Sequence, residues 1–539
     1  MNNIMDHDDD DLVGANDEDD VSVEDEDNDN EEYEDVIHSL VDNDPTLTSL
    51  SVGLFGTVHP SNANDWGSLG RAIGMNTQLR ELSLRYVVIP LRYGLPTSED
   101  ALASFFSGLA VNRSIQTLKF DHTQLNGYMV ELMAPFLAEN HVFDCFEIGG
   151  LYALEFTDIK TNLLGVTSFL LMFDYLKEFR LSYEGYNDDL DIIIQALTVH
   201  TGLRKLVLNS ITIGRRGCDS VVKLLNRSTR LKEIAFMCMQ NITNDGWQDI
   251  FTALQSTQCK LETIEMTWVE GVNERTALCF SHALLHHSTT LKILHSNVGL
   301  RVVIPLLQDP NAILEELDLV NDDALTNEEL EALTDALATN SSLKILRLSA
   351  NNSISTDCRL MDFVAVLRNP TSNLKILVLY GSHINDAVMN SFADALTTNH
   401  KLQQLSFGNC DSVNGGYATL TRTLCNKSSI LSTYHSNHTL NMLDAREYPL
   451  LDGSMFLPEE LTSLLQINKY NNMNQAARLK IITTHFSGND IKMEPFSKMT
   501  ISVRPRAIAW MAKDMHLYRF LRAMPSLLEK VENEAHMVI

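Results

Sequence analysis

The chain has 539 residues, 44% of them hydrophobic, and a formal net charge of −30 at pH 7. A net charge of this sign disfavours binding to the phosphate backbone of nucleic acids. The longest strongly apolar stretch, near residues 163–173, is well short of the roughly 20 residues that a membrane-spanning helix needs. We therefore expect a protein that binds neither nucleic acid nor membrane.

Residues 1–35 contain 18 Asp or Glu and no Lys or Arg. A segment with so little apolar surface cannot offset the entropy of ordering, which predicts a disordered acidic tail. It also lacks the basic and apolar regions of a signal peptide, which favours an intracellular location, in the cytoplasm or the nucleus. The tail is either a solubilising extension or a binding element, for a basic protein such as a histone or for the chain's own basic positions.

From residue 47 a six-residue pattern of apolar residues recurs about every thirty residues. Its clearest copy begins the sequence LKILRLSAN, in which Leu343, Leu346, Leu348 and Asn351 occupy the key positions. Each copy predicts one β-strand. The copies begin at Leu47, Leu79, Ile115, Phe143, Leu176, Leu203, Leu231, Leu261, Leu291, Leu314, Leu343, Leu374 and Leu402.

The segments between these cores predict helices. In the best example Thr326 is placed to cap a helix, Glu329 is at the capping-box position, and the leucines that follow recur at helical spacing. An asparagine three residues before the next core marks the place where the helix ends and the chain turns back. It recurs at Asn76, Asn112, Asn140, Asn311, Asn340 and Asn399.

The pattern L-x-x-L-x-L-x-x-N, followed by a helix and an asparagine turn, resembles the ribonuclease-inhibitor type of leucine-rich repeat. The resemblance covers approximately residues 47–425. It implies an α/β solenoid of about 13 or 14 repeats within residues 36–440, shaped like a horseshoe. A parallel β-sheet would line the concave face and helices the convex face. Many unrelated recognition proteins share this fold, so the resemblance does not identify a function.

Residues 441–539 predict a mainly helical C-terminal cap, with helices near residues 458–468, 474–486 and 505–531. This region resembles the C-terminal segment of uncharacterised algal leucine-rich-repeat proteins. Such a cap would cover the open end of the last repeat and prevent edge-to-edge pairing of strands.

No catalytic motif is present in the sequence: the phosphate loop G-x-x-x-x-G-K-[ST], the zinc motif H-E-x-x-H and the nucleophile motif G-x-S-x-G are all missing. Eight cysteines occur without a C-x-x-C pair, which favours reduced, mostly buried thiols over disulfides or zinc ligands. The histidines at 286, 287, 435 and 438 are interpreted as loop residues. We expect no catalytic residue, no cofactor and no metal site.

The outward residues between the leucines are therefore the candidate binding residues, because stacking aligns them into rows along the concave face. The first row is mainly basic and consists of Lys177, Arg204, Lys232, Glu262, Lys292, Glu315, Lys344 and Lys375. The polar members of the second row are Arg180, Glu265, His295, Asp318 and Arg347. Aromatic residues just past the strands, which resemble interface anchors, are Tyr86, Tyr183, Trp268 and Tyr380.

These features favour a non-enzymatic protein–protein interaction scaffold that binds a protein partner on the concave face, with Trp268 as the leading anchor. An alternative is a regulator of a small GTPase. This rests on a resemblance to activating proteins for the nuclear-transport GTPase, which combine this repeat type with an acidic tail, although theirs is C-terminal. A substrate receptor of a ubiquitin ligase is a third class, but the stretch before Leu47 is too short and too acidic for an F-box.

Overall fold

The structure is a computed structural model of the chain. It describes residues 26–53, 56–58, 60, 63–87, 99–123, 129–133, 143–149, 159–172, 176–182, 190–255, 258–321, 325–354, 357–382, 384–407, 414–444 and 457–485. These residues divide into two compact units, residues 1–143 and residues 144–539. Residues 1–25, Asn140, Tyr183, Cys410 and the predicted helix at 505–531 lie outside the described ranges.

In the first unit, strands and helices alternate along the chain. The elements are α1 (Glu26–Val41), β1 (Ser49–Val52), α2 (Ala63–Met75), β2 (Glu81–Arg85), α3 (Glu99–Val111) and β3 (Thr117–Asp121). The three strands pair in sequence order, and both pairs are parallel.

Helix α1 takes up residues that the sequence analysis placed in the acidic tail, since residues 26–35 belong to it. Its apolar residues explain the difference: Leu40 is fully buried and Tyr33 is 8% exposed. The Tyr33 hydroxyl donates a hydrogen bond to the carbonyl oxygen of Asp65 in α2 at 2.7 Å. Buried side chains at helical spacing therefore order this segment as a helix, although its charge alone suggests disorder.

The second unit repeats the same alternation. Its strands are β4 (Cys145–Gly149), β5 (Glu178–Ser182), β6 (Lys205–Asn209), β7 (Glu233–Met237), β8 (Thr263–Thr267), β9 (Ile293–Ser296), β10 (Glu316–Asn321), β11 (Ile345–Ile354), β12 (Ile376–Ser382), β13 (Gln404–Phe407) and β14 (Met442–Asp444). Each strand pairs in parallel with the next one along the chain.

The helices of the second unit connect these strands. They are α4 (Ile159–Met172), α5 (Asp191–Leu197), α6 (Arg215–Arg227), α7 (Asn244–Leu254), α8 (Glu274–His286), α9 (Leu300–Gln308), α10 (Asn327–Thr339), α11 (Asp357–Arg368), α12 (Asp386–Leu396), α13 (Asn414–Leu424), α14 (Ile430–Tyr434), α15 (Glu459–Tyr470) and α16 (Met473–His485). From α4 to α13 each helix packs beside the next. The predicted α/β leucine-rich-repeat architecture, with a parallel sheet on one side and helices on the other, is confirmed.

Every predicted core coincides with a strand, from β1 to β13. The capping box of α10 is also present: the Thr326 hydroxyl accepts from the backbone N–H of Glu329, whose carboxylate accepts from the backbone N–H of Thr326. Helices α15 and α16 coincide with the first two predicted cap helices. None of the helices in the described ranges is long and apolar enough to cross a membrane.

The core lies between the sheet and the helices. Aromatic rings of neighbouring repeats contact one another there. Trp247 of α7 packs edge-on against Phe236 of β7, with ring centroids 5.7 Å apart, and stacks on Phe251. Phe251 in turn stacks on Phe280 of α8 at 4.8 Å. Because one repeat cannot bury such rings alone, each repeat depends on its neighbours for stability.

The asparagine turns work as the sequence predicts, through buried side-chain amides. The Asn340 amide donates to the carbonyl oxygen of Leu307 in the preceding repeat, and its oxygen accepts from the backbone N–H groups of Ser342 and Leu343. Asn112 and Asn399 form the same pattern. Asn311 departs from it, because it is exposed and bonds only locally to Asp309.

Candidate protein-binding surface

The sheet of the second unit has two faces: one packs against the helices, and the second points away from them. We call the second face, from β5 to β12, the outward sheet face. In β5 the side chains of Phe179 and Leu181 are buried, while those of Glu178, Arg180 and Ser182 are half-buried on the opposite side. This alternation follows from the pleat of a strand, which sends successive side chains to opposite faces.

The first predicted row lies just before the strands and stacks through the backbone. The N–H of Arg204 donates to the carbonyl oxygen of Lys177, and that of Lys232 donates to Arg204. The same bonds join the remaining members in order through Glu262, Lys292, Glu315, Lys344 and Lys375. The structure therefore brings all eight residues of this row together along one edge of the outward sheet face.

Most charges of this first row are paired within it. The Glu262 carboxylate lies 2.5 Å from Lys232 Nζ and 2.8 Å from Lys292 Nζ. These hydrogen bonds lower the pKa of Glu262. Lys344 Nζ lies 2.6 Å from Glu315, and Lys177 Nζ lies 2.6 Å from Asp144. The acidic interruptions of the row thus neutralise adjacent lysines.

The second predicted row runs along the middle of the strands. Register places Glu265 beside His295, His295 beside Asp318, and Asp318 beside Arg347. Burial raises the pKa of the Asp318 carboxyl, and the nearby His295 and Arg347 oppose this rise. Acidic and basic groups therefore alternate across four adjacent strands.

A third row between these two was missed by the sequence analysis. It consists of Glu178, Lys205, Glu233, Thr263, Ile293, Glu316, Ile345 and Ile376, which pair in register. Lys205 Nζ lies 2.5 Å from Glu233, and the Arg347 guanidinium pairs with Glu316. His295 Nε2 also lies 3.5 Å from Glu316. Period-two alternation from the second leucine of each core would have identified this row.

Trp268 follows β8 at the opposite end of the strands from the first row. Its side chain is 49% exposed. Its backbone has a φ of 54°, in the left-handed region that a bulky residue adopts at a cost in free energy. Ser210 and Cys238 occupy equivalent positions after β6 and β7 and share this conformation. The repeat therefore requires the turn, but it does not require a tryptophan there.

The other predicted aromatic anchors differ in their surroundings. In the first unit the Tyr86 ring stacks on His122, with centroids 4.5 Å apart and an interplanar angle of 10°. Tyr380 lies within β12 and is half-buried. Trp268 stacks on no other ring among the residues that the structure describes. An exposed ring of this kind is the type of side chain that anchors protein interfaces.

The thiols that the structure describes lie in the repeat interior rather than in a site. Cys145, Cys218, Cys259 and Cys425 are buried free thiols, and Cys238 and Cys279 are half-buried. The Cys259 thiol donates a hydrogen bond to the carbonyl oxygen of Leu225 in α6, and burial raises its pKa to about 11.

Of the four histidines interpreted as loop residues, His287 and His438 are buried and His286 and His435 are exposed. His286 is the last residue of α8 rather than a loop residue. Within the described ranges, no three His, Cys, Asp or Glu side chains form a metal-binding group.

Comparisons with known proteins agree with the repeat architecture. No protein-family model matches the chain. A mouse protein, "NACHT, LRR and PYD domains-containing protein 14", is 25% identical over 254 residues, which is 46% of this chain and 22% of the mouse protein. The match therefore spans about a fifth of that relative's length. It carries the leucine-rich-repeat designation that the observed fold also supports.

Solved structures with some similarity include the leiomodin-1 actin-binding site 2, at 23% identity over 32% of this chain and 87% of that chain, with a TM-score of 0.24. The yeast Rad7 and Elc1 complex is another, at 11% identity over 80% of this chain and 92% of that chain, with a TM-score of 0.39. At these TM-scores neither similarity identifies a partner for this chain.

Proposed function

We propose that the chain is a non-enzymatic scaffold that binds a protein partner on the outward sheet face of its second unit. The fold provides a rigid row-by-row display of side chains, which suits recognition with little change of backbone on binding. Repeats with full helices at a period near thirty residues favour the ribonuclease-inhibitor type. The similarity of the C-terminal region to algal leucine-rich-repeat proteins stays a prediction.

Trp268 is the observation that carries this proposal. Trp268 has a left-handed backbone conformation, which costs free energy for a bulky residue, and it leaves a large apolar ring half exposed. Burial of this ring against a partner would remove apolar surface from water, which the isolated chain does not do. The mixed charges of Glu265, His295 and Arg347 then provide a polar rim that selects a partner of complementary charge.

Trp268→Gly is expected to weaken capture of the partner by about thirty-fold, the effect of losing a central aromatic anchor worth roughly 2 kcal/mol. The free energy of unfolding should change little, because the relief at a φ of 54° offsets the loss of the buried part of the indole. Quantitative pull-down of the partner recovered by the unmodified chain, with urea unfolding of each variant, measures both effects.

Leu278→Ala is the matched control, because Leu278 is 59% exposed on α8, away from the sheet. It should not change capture. A loss of capture by Trp268→Gly that is matched by an equal loss from Leu278→Ala, or by a loss of folding, would contradict the proposal. Stimulated GTP hydrolysis by a small GTPase in the presence of the chain would instead support the alternative regulator function.

A further inference from the structure

The second unit has a basic groove at the edge of the sheet where strands β6 to β10 begin. Its volume is about 590 Å³. Five cationic side chains and one carboxylate, Glu262, line it. The cations are Arg204, Arg230, Lys232, Lys260 and Lys292. We call this feature the basic groove; its lining carries a net charge of +4 in a chain whose net charge is −30.

The one carboxylate in the basic groove does not cancel this charge. Glu262 is held by both Lys232 and Lys292, which leaves the groove with more cations than its own acid can pair. Arg204, Arg230 and Lys260 are exposed, and no carboxylate of the described part of the chain forms an ion pair with them. Unpaired cations that converge on one groove attract an anionic ligand.

The arrangement of these cations indicates the shape of the ligand. They precede strands β6, β7, β8 and β9, and Ile313 closes the groove before β10. Five neighbouring strands span about 19 Å at roughly 4.8 Å per step. A single small anion would contact only part of such a row. An extended chain with a negative charge at every residue or two would contact all of it.

We propose that the basic groove binds an Asp/Glu-rich peptide segment of a protein partner. Nucleic acid fits less well, because no aromatic side chain lines the groove to stack on bases. The half-exposed Ile313, at 39%, gives one end of the groove an apolar contact suited to a peptide side chain. The site is separate from Trp268, which lies at the other end of the strands.

Binding of a fluorescently labelled octaglutamate peptide to the full chain, measured by anisotropy at about 0.15 M ionic strength, where charges more than about 8 Å apart are largely screened, tests this assignment. Arg230→Glu combined with Lys260→Glu should weaken binding by about tenfold or more, because two unpaired cations become acids. Arg216→Glu combined with Lys223→Glu makes the same change in net charge on the exposed side of α6. It should change the affinity by less than about twofold. Equal weakening by both pairs would overturn the assignment.

A second arm removes competition from the chain's own acidic residues. The 11 Asp and Glu of residues 1–25 are replaced by Asn and Gln, and the titration is repeated. Binding that appears only in this variant, and that Arg230→Glu with Lys260→Glu abolishes, supports the proposal, because the groove then accepts the peptide once competing negative charge is removed. Failure of the peptide to bind either protein overturns the proposal. Tighter binding of a 12-nucleotide single-stranded DNA, lost in the same groove variant, overturns it in favour of nucleic acid.

Discussion

Gly108→Ala is expected to lower the free energy of unfolding of the first unit by about 3 kcal/mol, although alanine normally favours a helix. A Cβ atom on Gly108 of α3 would lie 1.8 Å from the carbonyl oxygen of Gly70 in α2. A Cβ on Gly70 would likewise lie 2.6 Å from the Cα of Phe105. The two helices pack backbone against backbone, so even one methyl group must separate them.

Gly67→Ala provides the matched control in the same pair of helices. A Cβ at Gly67 would meet its nearest atom, the Cβ of Ser104, at 3.4 Å, which is an ordinary contact. This variant should be neutral or more stable by up to about 1 kcal/mol, because alanine has the higher helix propensity. Thermal unfolding, with hydrogen exchange of α2 and α3, measures the effect. Equal stability of the two variants would show that α2 and α3 do not pack backbone against backbone at Gly108.

In the unmodified chain the free energy of unfolding is expected to rise between pH 7 and pH 9, and Lys480→Met is expected to remove this rise. Lys480 is fully buried in α16, and its Nζ donates to the carbonyl oxygens of Leu424 at 2.7 Å and Asn437 at 3.0 Å. Burial lowers the pKa of this lysine to about 7. Burial, together with the charge of Lys480, lowers the pKa of the neighbouring His438 to about 4.

The sign of this effect follows from proton binding. An unfolded lysine titrates near pH 10.4, so between about pH 7 and that value the unfolded state holds a proton that the folded state has released. Stability therefore rises with pH across this window, by about 1.4 kcal/mol per unit where the difference is one full proton. His438 adds a separate rise between about pH 4 and 6.5, because its pKa is also lowered on folding.

Urea unfolding at pH 7, 8 and 9 measures this slope. Subtraction of the Lys480→Met curve from that of the unmodified chain should leave roughly 2 kcal/mol of pH-dependent stability between pH 7 and 9. Lys469→Met, at an exposed lysine of α15, controls for the loss of one positive charge and should keep the original slope. Parallel curves for the unmodified chain and Lys480→Met would show that Lys480 is charged throughout this range.

The repeat architecture was predictable because burial and turn geometry leave direct traces in the sequence. Leucines that must be buried fixed the position of each strand, and Thr326 with Glu329 fixed the start of α10. Asn340 and Asn399 marked the turns, because only a short side chain with both a donor and an acceptor satisfies three backbone groups there. Local chemistry was sufficient for these features.

Features that depend on contacts between distant residues were not predictable in the same way. The first part of helix α1 has the composition of a disordered tail, because its many acidic residues outnumber the few that pack, of which Leu40 is the most buried. The row that contains Glu233 and Glu316 was missed, because the first leucine of each core precedes the strand and is out of phase with its alternation. The basic groove includes Arg230 and Lys260, which lie in turns and become neighbours only when repeats stack.

Photo-crosslinking of the captured partner shows whether the outward sheet face is the binding surface. A benzophenone side chain is placed at Thr263, on the outward side of β8, or at Arg216, exposed on α6. We expect crosslinks to the partner from position 263 and none from position 216, with the crosslinks lost in Trp268→Gly. Crosslinks from position 216 alone would contradict binding at the outward sheet face.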